Sequence, residues 1–168
     1  MEYNNQLPHR KSPRLPEYDY SQNGAYFVTV CTEHRKQILS KIVVGKGLCA
    51  LPQIQIELTK TGKIVEECIE YINPYDFVEV MSYVIMPDHI HLIISIIAPE
   101  GHRDPSLQHT IQQFKSYSTH KNGQKFWQRS YYDHIVRNES DLIDIHNYII
   151  QNPYLWFEGK HDDTNFLR

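Results

Sequence analysis

One stretch decides the fold of this chain: Met86-Pro87-Asp88-His89-Ile90-His91-Leu92-Ile93-Ile94. Pro at the second position and Asp at the third suit a type I turn, and the apolar run that follows is typical of a β-strand. Because side chains alternate faces along a strand, His89 and His91 are expected to point the same way and to be able to share one metal ion. The alternative is a pair of ordinary histidines at the mouth of a hairpin.

The segments around this turn predict further strands. We expect strands over 77–86 and 90–97, joined by the Met-Pro-Asp-His turn. The β-branched and aromatic segment 25–32 is predicted to be the first strand, and 131–137 another. The intervening segment 33–58 is interpreted as rich in loops.

Helical spacing of apolar residues predicts three helices. The first spans 59–72 and stops at Asn73-Pro74. Asp104 and Pro105 suit the N-cap and first turn of a second helix, and Asn138 is expected to cap a third over 140–151. The inward-facing stripe of that last helix is predicted to be Leu142, Ile145, His146 and Ile149.

The order of these elements predicts the fold class. Strand, helix, strand, strand, helix, strand, helix is the split β-α-β pattern of a ferredoxin-like α+β domain. We expect an antiparallel sheet with helices on one face and an added C-terminal helix, leaving the other face for a site. Residues 1–24, polar and Pro-containing, are interpreted as an extended arm, and 25–168 as a single domain.

Composition limits the class of protein. Hydrophobic residues make up 40% of the 168 residues and charged residues 22%, as in soluble globular proteins. Cys31, Cys49 and Cys68 show no C-x-x-C spacing, which argues against a disulfide framework or a zinc–thiolate site and fits a reducing cytosol. The longest apolar run, 90–98, is too short to cross a bilayer. We therefore expect a cytoplasmic protein with no membrane partner.

Charge is unevenly distributed along the chain. The net charge of −3 is not typical of a protein that coats duplex DNA. Residues 103–137 nevertheless carry six basic and two acidic residues, whereas 47–102 carry two basic and eight acidic residues. Such a chain can still present one basic face to a phosphate backbone, although a chance fluctuation explains the pattern equally well.

The last predicted helix carries a second set of reactive groups. Tyr148 and Asn152 are four residues apart, so they lie one turn from each other on a common face. A tyrosine can attack phosphorus, and a metal held partly by an amide oxygen can polarise the phosphate. The alternative is a half-buried tyrosine with Asn152 as a helix C-cap before Pro153.

These motifs resemble those of REP-associated tyrosine transposases. The Asp88–His91 element resembles the HUH motif (His, hydrophobic residue, His) of single-strand DNA nucleases. The run 126–138 and the ending 148–153 are similar to small insertion-sequence transposases that use a single catalytic tyrosine. Segments 14–20 and 26–32 also fit, so the resemblance extends over residues 13–153.

The resemblance implies a role for each matched position. His89 and His91 would bind a divalent ion, Mg²⁺ or Mn²⁺, that holds the scissile phosphate of single-stranded hairpin DNA. Tyr148 would attack that phosphate, forming a 5′-phosphotyrosine link and releasing a 3′-hydroxyl. Asn152 would be the third metal ligand, in place of the longer Gln of related transposases, directly or through water. Tyr131 and Tyr132 are rival nucleophiles, but neither has a polar partner at helical spacing.

Charge and position suggest DNA contacts. Lys115, Arg129 and Arg137, with Trp127 nearby, are predicted to contact the backbone and stack on bases. A solvated helix face and a core Trp are the alternative. His134 is interpreted as a phosphate contact or as an ordinary half-buried histidine. Arg14, in the basic N-terminal arm, is predicted to reach a hairpin groove.

Three functions remain open at this point. The first is a metal-dependent enzyme that nicks and rejoins single-stranded hairpin DNA such as REP-like palindromes, associated with the nucleoid when bound. The second is a catalytically silent nucleic-acid-binding protein of the same fold. The third is a small-molecule metalloenzyme, which the three predicted helices disfavour. A monomer and a homodimer are both compatible with the sequence.

Overall fold

The structure is a computed structural model of the chain and describes residues 24–45, 53–72, 77–97 and 106–159. In chain order its elements are β1 (Gly24–Cys31), β2 (Ser40–Gly45), β3 (Gln53–Leu58), α1 (Lys60–Glu70), β4 (Val78–Ile85), β5 (His89–Ile96), α2 (Leu107–Asn122), β6 (Tyr132–Val136) and α3 (Glu139–Phe157). Apart from Gly24, the predicted N-terminal arm, including Arg14, lies outside the described residues. Its conformation and its DNA contact therefore stay predictions.

Four strands form the main sheet in the order β4-β5-β1-β6, and every neighbouring pair is antiparallel. β5 lies between β1 and β4, which are connected along the chain by β2, β3 and α1. In the same way, β1 lies between β5 and β6, which α2 connects. This is a split β-α-β arrangement, and the predicted α+β class with an antiparallel sheet is confirmed.

A second, two-stranded sheet precedes α1. β2 and β3 pair antiparallel from Ser40 opposite Leu58 to Gly45 opposite Gln53. The interpretation of 33–58 as rich in loops is therefore wrong. Gln53–Leu58 alternates polar and apolar residues, and its exposure alternates with the same period of two. The segment was interpreted as a loop because Gly45 and Gly47 are typical of turns, and the alternation was not taken into account.

Two helix ends differ from their predicted positions. α2 begins at Leu107, and its N-cap is Ser106, whose hydroxyl accepts the N–H of His109 at 3.2 Å. Asp104 is therefore not the N-cap; it lies outside the described residues. α3 does not end at Asn152-Pro153 but continues to Phe157. Proline removes one backbone hydrogen bond, and the packing of the residues that follow it holds the helix together.

The start of α3 is as predicted, but one residue of its stripe is not. The Asn138 side chain caps the helix by accepting the N–H of Asp141 at 2.9 Å. Ile145 and Ile149 are buried, whereas His146 is exposed, so its predicted inward position is wrong.

Apolar side chains cover both faces of the main sheet. On one face α1 and α2 pack against it in the first core, which includes Val28, Leu92, Val65 and Ile111. On the other face α3 packs against Phe27 and Ile93 in the second core, together with part of the β2–β3 hairpin. The face predicted to carry the site is thus covered by the tyrosine-bearing helix. Among the described helices, none has the length and apolarity needed to cross a membrane.

Candidate active site

Two histidines of β5 face each other beneath α3. In the sheet His89 lies opposite Cys31 and His91 opposite Thr29, so both imidazoles lie on the face of the second core. Both residues are completely buried, and their Nε2 atoms are 3.1 Å apart. The prediction that the two side chains point the same way is confirmed.

Both imidazoles are oriented by a partner at Nδ1. His89 Nδ1 lies 2.6 Å from a carboxylate oxygen of Asp88, whose other oxygen is 3.1 Å from Nε of Arg35. His91 Nδ1 lies 2.8 Å from the Thr29 hydroxyl. Because a carboxylate only accepts hydrogen bonds, it holds a proton on His89 Nδ1 and leaves the Nε2 lone pair available. This arrangement is typical of histidines that bind a metal through Nε2.

The electrostatic environment keeps His91 in the form that ligates metals. Burial, the neighbouring His89 and the cation of Arg35 hold the pKa of His91 well below its ordinary value of 6.5. A neutral imidazole can donate its lone pair to a cation. Two ligand atoms at about 2.1 Å from a divalent ion and at right angles to each other are about 3.0 Å apart. The observed separation of the two Nε2 atoms, 3.1 Å, fits that geometry.

One face of α3 covers this pair with three residues spaced one turn apart. The Tyr148 ring lies 5.3 Å from the His91 ring, and the Trp156 ring lies 5.9 Å from the His89 ring, centroid to centroid. Asn152 lies on α3 midway between them in sequence. The three residues therefore lie in a row above the two histidines, with Tyr148 at His91, Trp156 at His89 and Asn152 between them.

Asn152 is the member of this set that fits a ligand. The side chain is completely buried, and neither its oxygen nor its nitrogen has a hydrogen-bond partner. Leaving such an amide unpaired costs about 1–3 kcal/mol of folding free energy. An unpaired buried amide in a native protein therefore indicates a role such as binding an ion. Among the described residues no cluster of three or more His, Cys, Asp or Glu side chains could hold a metal. Two imidazole nitrogens, an amide oxygen and non-protein oxygens form a mixed donor set for a divalent cation, and because Mg²⁺ prefers oxygen ligands this set suits Mn²⁺ better than Mg²⁺.

Two further residues, Trp156 and Arg35, belong to the site but were not predicted from the sequence. Trp156 was missed because the helix was predicted to span 140–151 and to stop before Pro153, although its spacing of four from Asn152 is the available signal. Arg35 reaches Asp88 from a short 3₁₀ turn in which His34 and Arg35 adopt the left-handed φ values of 57° and 54°. A left-handed backbone is uncommon at non-glycine residues, so two in succession were not expected from the sequence.

The structure corrects one predicted DNA contact. Trp127 is 2% exposed, packs against Phe114 and Phe126 in the first core, and donates its indole N–H to Ser118. It therefore offers no face on which a base could stack, and the prediction that it does so is wrong. It is the core Trp of the alternative interpretation.

Of the other predicted contacts, two bind groups of the protein itself and two are exposed. The Lys115 ammonium donates to the carbonyls of Gln128 and Arg129, at 2.5 and 3.0 Å, so it holds that loop. Burial is the main cause that lowers the pKa of Lys115. His134 Nε2 lies 3.1 Å from Asp141. Arg129 and Arg137 are exposed, and their DNA contacts stay predictions.

The rival tyrosines differ in position. Tyr131 is buried in the first core, on the opposite side of the sheet from the histidines. Tyr132 lies opposite Thr29 in the register of β1 and β6, on the face of the histidines, and is 40% exposed. Tyr148 is the tyrosine whose ring lies against His91.

Comparison with known proteins agrees with this arrangement. The family model described as "Transposase IS200 like" matches residues 20–152. The chain belongs to the IS200-like transposase family. A Haemophilus influenzae protein, described as uncharacterized, is 32% identical to this IS200-like transposase. The alignment, 182 residues long, covers 94% of this chain and 96% of that protein.

Two further relatives of this IS200-like transposase carry a more specific name. A REP-associated tyrosine transposase of Escherichia coli K12 is 27% identical over 135 residues, covering 80% of this chain and 68% of that protein. A solved structure of a REP-associated tyrosine transposase bound to a REP hairpin shares the fold, with a TM-score of 0.60 and 24% identity, covering 88% of this chain and 76% of that chain. The predicted resemblance to REP-associated tyrosine transposases is confirmed.

Proposed function

We propose that this IS200-like transposase nicks and rejoins single-stranded hairpin DNA through a covalent 5′-phosphotyrosine. One observation carries the proposal: a tyrosine and an unpaired buried amide on one face of α3 are laid over two imidazoles whose Nε2 atoms converge. The nucleophile and the phosphate-binding ligands then come from two elements, β5 and α3, and the groups that orient the imidazoles come from β1 and from the turn before β5.

The nucleophile is Tyr148. Its hydroxyl group loses its proton as the oxygen attacks the scissile phosphorus, the bond from phosphorus to the 3′-oxygen breaks, and the leaving oxygen takes up a proton to become a 3′-hydroxyl, so no net proton is gained or lost. The phosphate stays on the 5′-oxygen of the downstream nucleotide. Because one phosphodiester replaces another, a 3′-hydroxyl can attack the phosphotyrosine in the reverse sense and rejoin a strand.

The ligands would be His89, His91 and Asn152. A divalent cation bound there, Mg²⁺ or Mn²⁺, would neutralise charge on the scissile phosphate and favour attack on it. Asp88 and Thr29 fix the two imidazole planes, so little reorganisation is needed at the moment of reaction. Burial of both histidines excludes bulk water from their side of the phosphate.

The hairpin as partner is supported by fold and by charge. The structural relative was solved bound to a REP hairpin. With a net charge of −3, this chain gains little from non-specific attraction to a phosphate backbone, so recognition has to rest on a structured target. The exposed Arg129 and Arg137 are the described cations that we assign to that contact.

A denaturing gel tests the proposal. The protein is incubated with labelled hairpin oligonucleotides from its own genomic flanks and Mn²⁺, in parallel with Tyr148→Phe, Tyr132→Phe and EDTA. We expect a protein–DNA band that survives denaturation in the wild type and in Tyr132→Phe, and not in the other two lanes. DNA that shifts on native gels without forming this band on any flanking hairpin would instead support the silent binding protein.

A further inference from the structure

A pocket opens beside the histidine pair, where the end of α3 meets the β2–β3 hairpin. Its volume is about 410 Å³. Its lining includes Gln37, Ser40, Lys41, Pro87, Trp156 and Phe157. Trp156 belongs both to this pocket and to the site, because its ring lies 5.9 Å from that of His89. A molecule in this pocket would therefore lie next to the phosphate that we propose the histidine site binds.

The lining suits a nucleobase. Trp156 and Phe157 provide aromatic surface, and Phe157 is 51% exposed although it is a large apolar residue. The Ser40 hydroxyl donates a hydrogen bond to the carbonyl of Ile85 at 2.8 Å, so it is already paired within the protein. Gln37 and Lys41 are exposed and supply an amide and an ammonium group. An aromatic surface beside a few polar groups is what a single-stranded base requires.

The positions of Tyr148 and Trp156 on α3 indicate which base of the DNA would enter the pocket. Displacement at phosphorus is in line, so the leaving 3′-oxygen lies opposite the attacking oxygen of Tyr148. Tyr148 lies at His91, and Trp156, eight residues or about 12 Å further along α3, lies at His89. The pocket is therefore on the side of the leaving oxygen.

We propose that this pocket binds the base of the nucleotide immediately 5′ of the scissile phosphate, stacked on Trp156 and contacted at its edge by Gln37 and Lys41. The inference rests on the proposed nicking function, because that function defines the scissile phosphate. It adds a determinant of cleavage position within the unpaired DNA that flanks a hairpin. This base would be selected by the β2–β3 side of the molecule and not by the hairpin stem.

Tryptophan fluorescence tests the pocket without requiring cleavage. The chain has two tryptophans, and Trp127 is buried in the first core, so Trp156→Phe isolates the signal of Trp156. The fluorescence and binding measurements use Tyr148→Phe protein and hairpin oligonucleotides from the genomic flanks, with an abasic nucleotide placed in turn at each unpaired position. We expect binding to quench Trp156, and a single abasic position to abolish the quenching and weaken binding about tenfold.

Matched variants separate the pocket from general binding. Gln37→Ala and Lys41→Ala are expected to change which base is preferred at that one position. Gln55→Ala, an exposed glutamine on β3 of the same hairpin, is expected to leave the preference unchanged. Quenching of Trp156 that is insensitive to every abasic position would contradict binding of a base in this pocket. Equal effects of Gln37→Ala and Gln55→Ala on base preference would contradict it as well.

The outcomes for the pocket and for the chemistry are distinguishable. In wild-type protein, the mapped cleavage position must be directly 3′ of the nucleotide whose loss abolishes quenching; any other position overturns the assignment. Covalent adducts without base-dependent quenching would likewise overturn the pocket and leave the chemistry intact. Base-dependent quenching with no adduct on any hairpin would overturn the nicking function, and with it the assignment of the base to a scissile phosphate.

Discussion

Asp88 is the side chain on which the orientation of His89 depends. Its carboxylate accepts the Nδ1 proton of His89 at 2.6 Å and is itself held by Arg35. The histidine pair was predictable, because a spacing of two on a strand fixes a common face. The carboxylate–arginine pair behind it was not, because Arg35 is remote in sequence and reaches Asp88 through a left-handed turn.

Asp88→Asn is expected to weaken Mn²⁺ binding about 10- to 100-fold, because an amide can turn its N–H₂ toward Nδ1 and favour the wrong tautomer. Isothermal titration with Mn²⁺ measures the affinity directly, independently of cleavage. Asp144→Asn, an exposed carboxylate on α3, serves as the control. Equal affinities for wild type and Asp88→Asn would show that His89 is not oriented in this way.

Asn152 is expected to lower stability when no metal is bound, since its buried amide has no partner. Asn152→Leu, close in size and apolar, should raise the free energy of unfolding in EDTA by about 1–3 kcal/mol and abolish the stabilisation by Mn²⁺. Urea denaturation with and without Mn²⁺ measures both effects. Asn147→Leu, exposed on the same helix, is the control. A loss of stability on Asn152→Leu in EDTA would mean that the amide is satisfied within the fold.

Burial of single side chains was the least predictable property. Trp127 lies in an irregular segment, where no periodicity says which way a side chain points, and it proved to be core. His146 adjoins Ile145 on a helix, and a rotation of one residue separates buried from exposed. The prediction that Tyr148 and Asn152 share a face is different, because two residues four apart stay on one face whichever way the helix is rotated about its axis.

At the scale of elements, α3 brings Tyr148, Asn152 and Trp156 to the candidate site, and its first turn is tied to the sheet. Asp141 accepts the backbone N–H of Arg137 at 3.0 Å and lies 3.1 Å from His134 on β6, so it joins the helix start to the sheet. Burial opposes ionisation of this carboxyl group, but these hydrogen bonds prevail and hold the pKa of Asp141 below its ordinary value of 3.8.

A lowered pKa predicts a definite dependence of stability on pH. Ionised Asp141 stabilises the folded state fully above the ordinary pKa, and this contribution is lost as pH falls through the lower folded-state value. Asp141→Asn should therefore be less stable by about 1 kcal/mol at pH 7, with the difference closing below pH 3.8. Urea denaturation at pH 7, 5 and 3 checks this. A difference that is the same at all three values would contradict the ionic role.

The strands and helices of the main sheet were predictable, and the elements that complete the site were less so. Strong periodicity marked β1, β4, β5 and α1. The β2–β3 hairpin was missed because its strands are short and only half-buried. The extension of α3 past Pro153 was missed because the rule that proline ends a helix is local, while contacts of Leu155 and Trp156 with the second core are tertiary.

At the scale of the whole molecule, the sheet separates a face that packs α1 and α2 from the face that carries the candidate site. The first core packs α1 and α2, and the second core places α3 over the histidines. A ligand that binds β5 and α3 together therefore ties the helix to the sheet. Such a ligand stabilises the whole fold by mass action.

Mn²⁺ at about 100 times its dissociation constant should add about 2.7 kcal/mol of stability. For a chain of this size that raises the melting temperature by roughly 5–10 °C. Differential scanning calorimetry with and without Mn²⁺ measures the shift, and His91→Gln should abolish it. An equal shift in His91→Gln would place the stabilising ion elsewhere.

Mass spectrometry of the covalent product tests the central claim most directly. After reaction with a flanking hairpin and Mn²⁺, nuclease digestion leaves a short 5′-phosphonucleotide on the protein, and trypsin releases the peptide 138–160, which contains Tyr148 and Tyr154. Fragmentation should locate the added mass on Tyr148, joined through the 5′-phosphate. Added mass on Tyr132 or Tyr154, or a link through a 3′-phosphate, would contradict the proposed role of α3 in the chemistry.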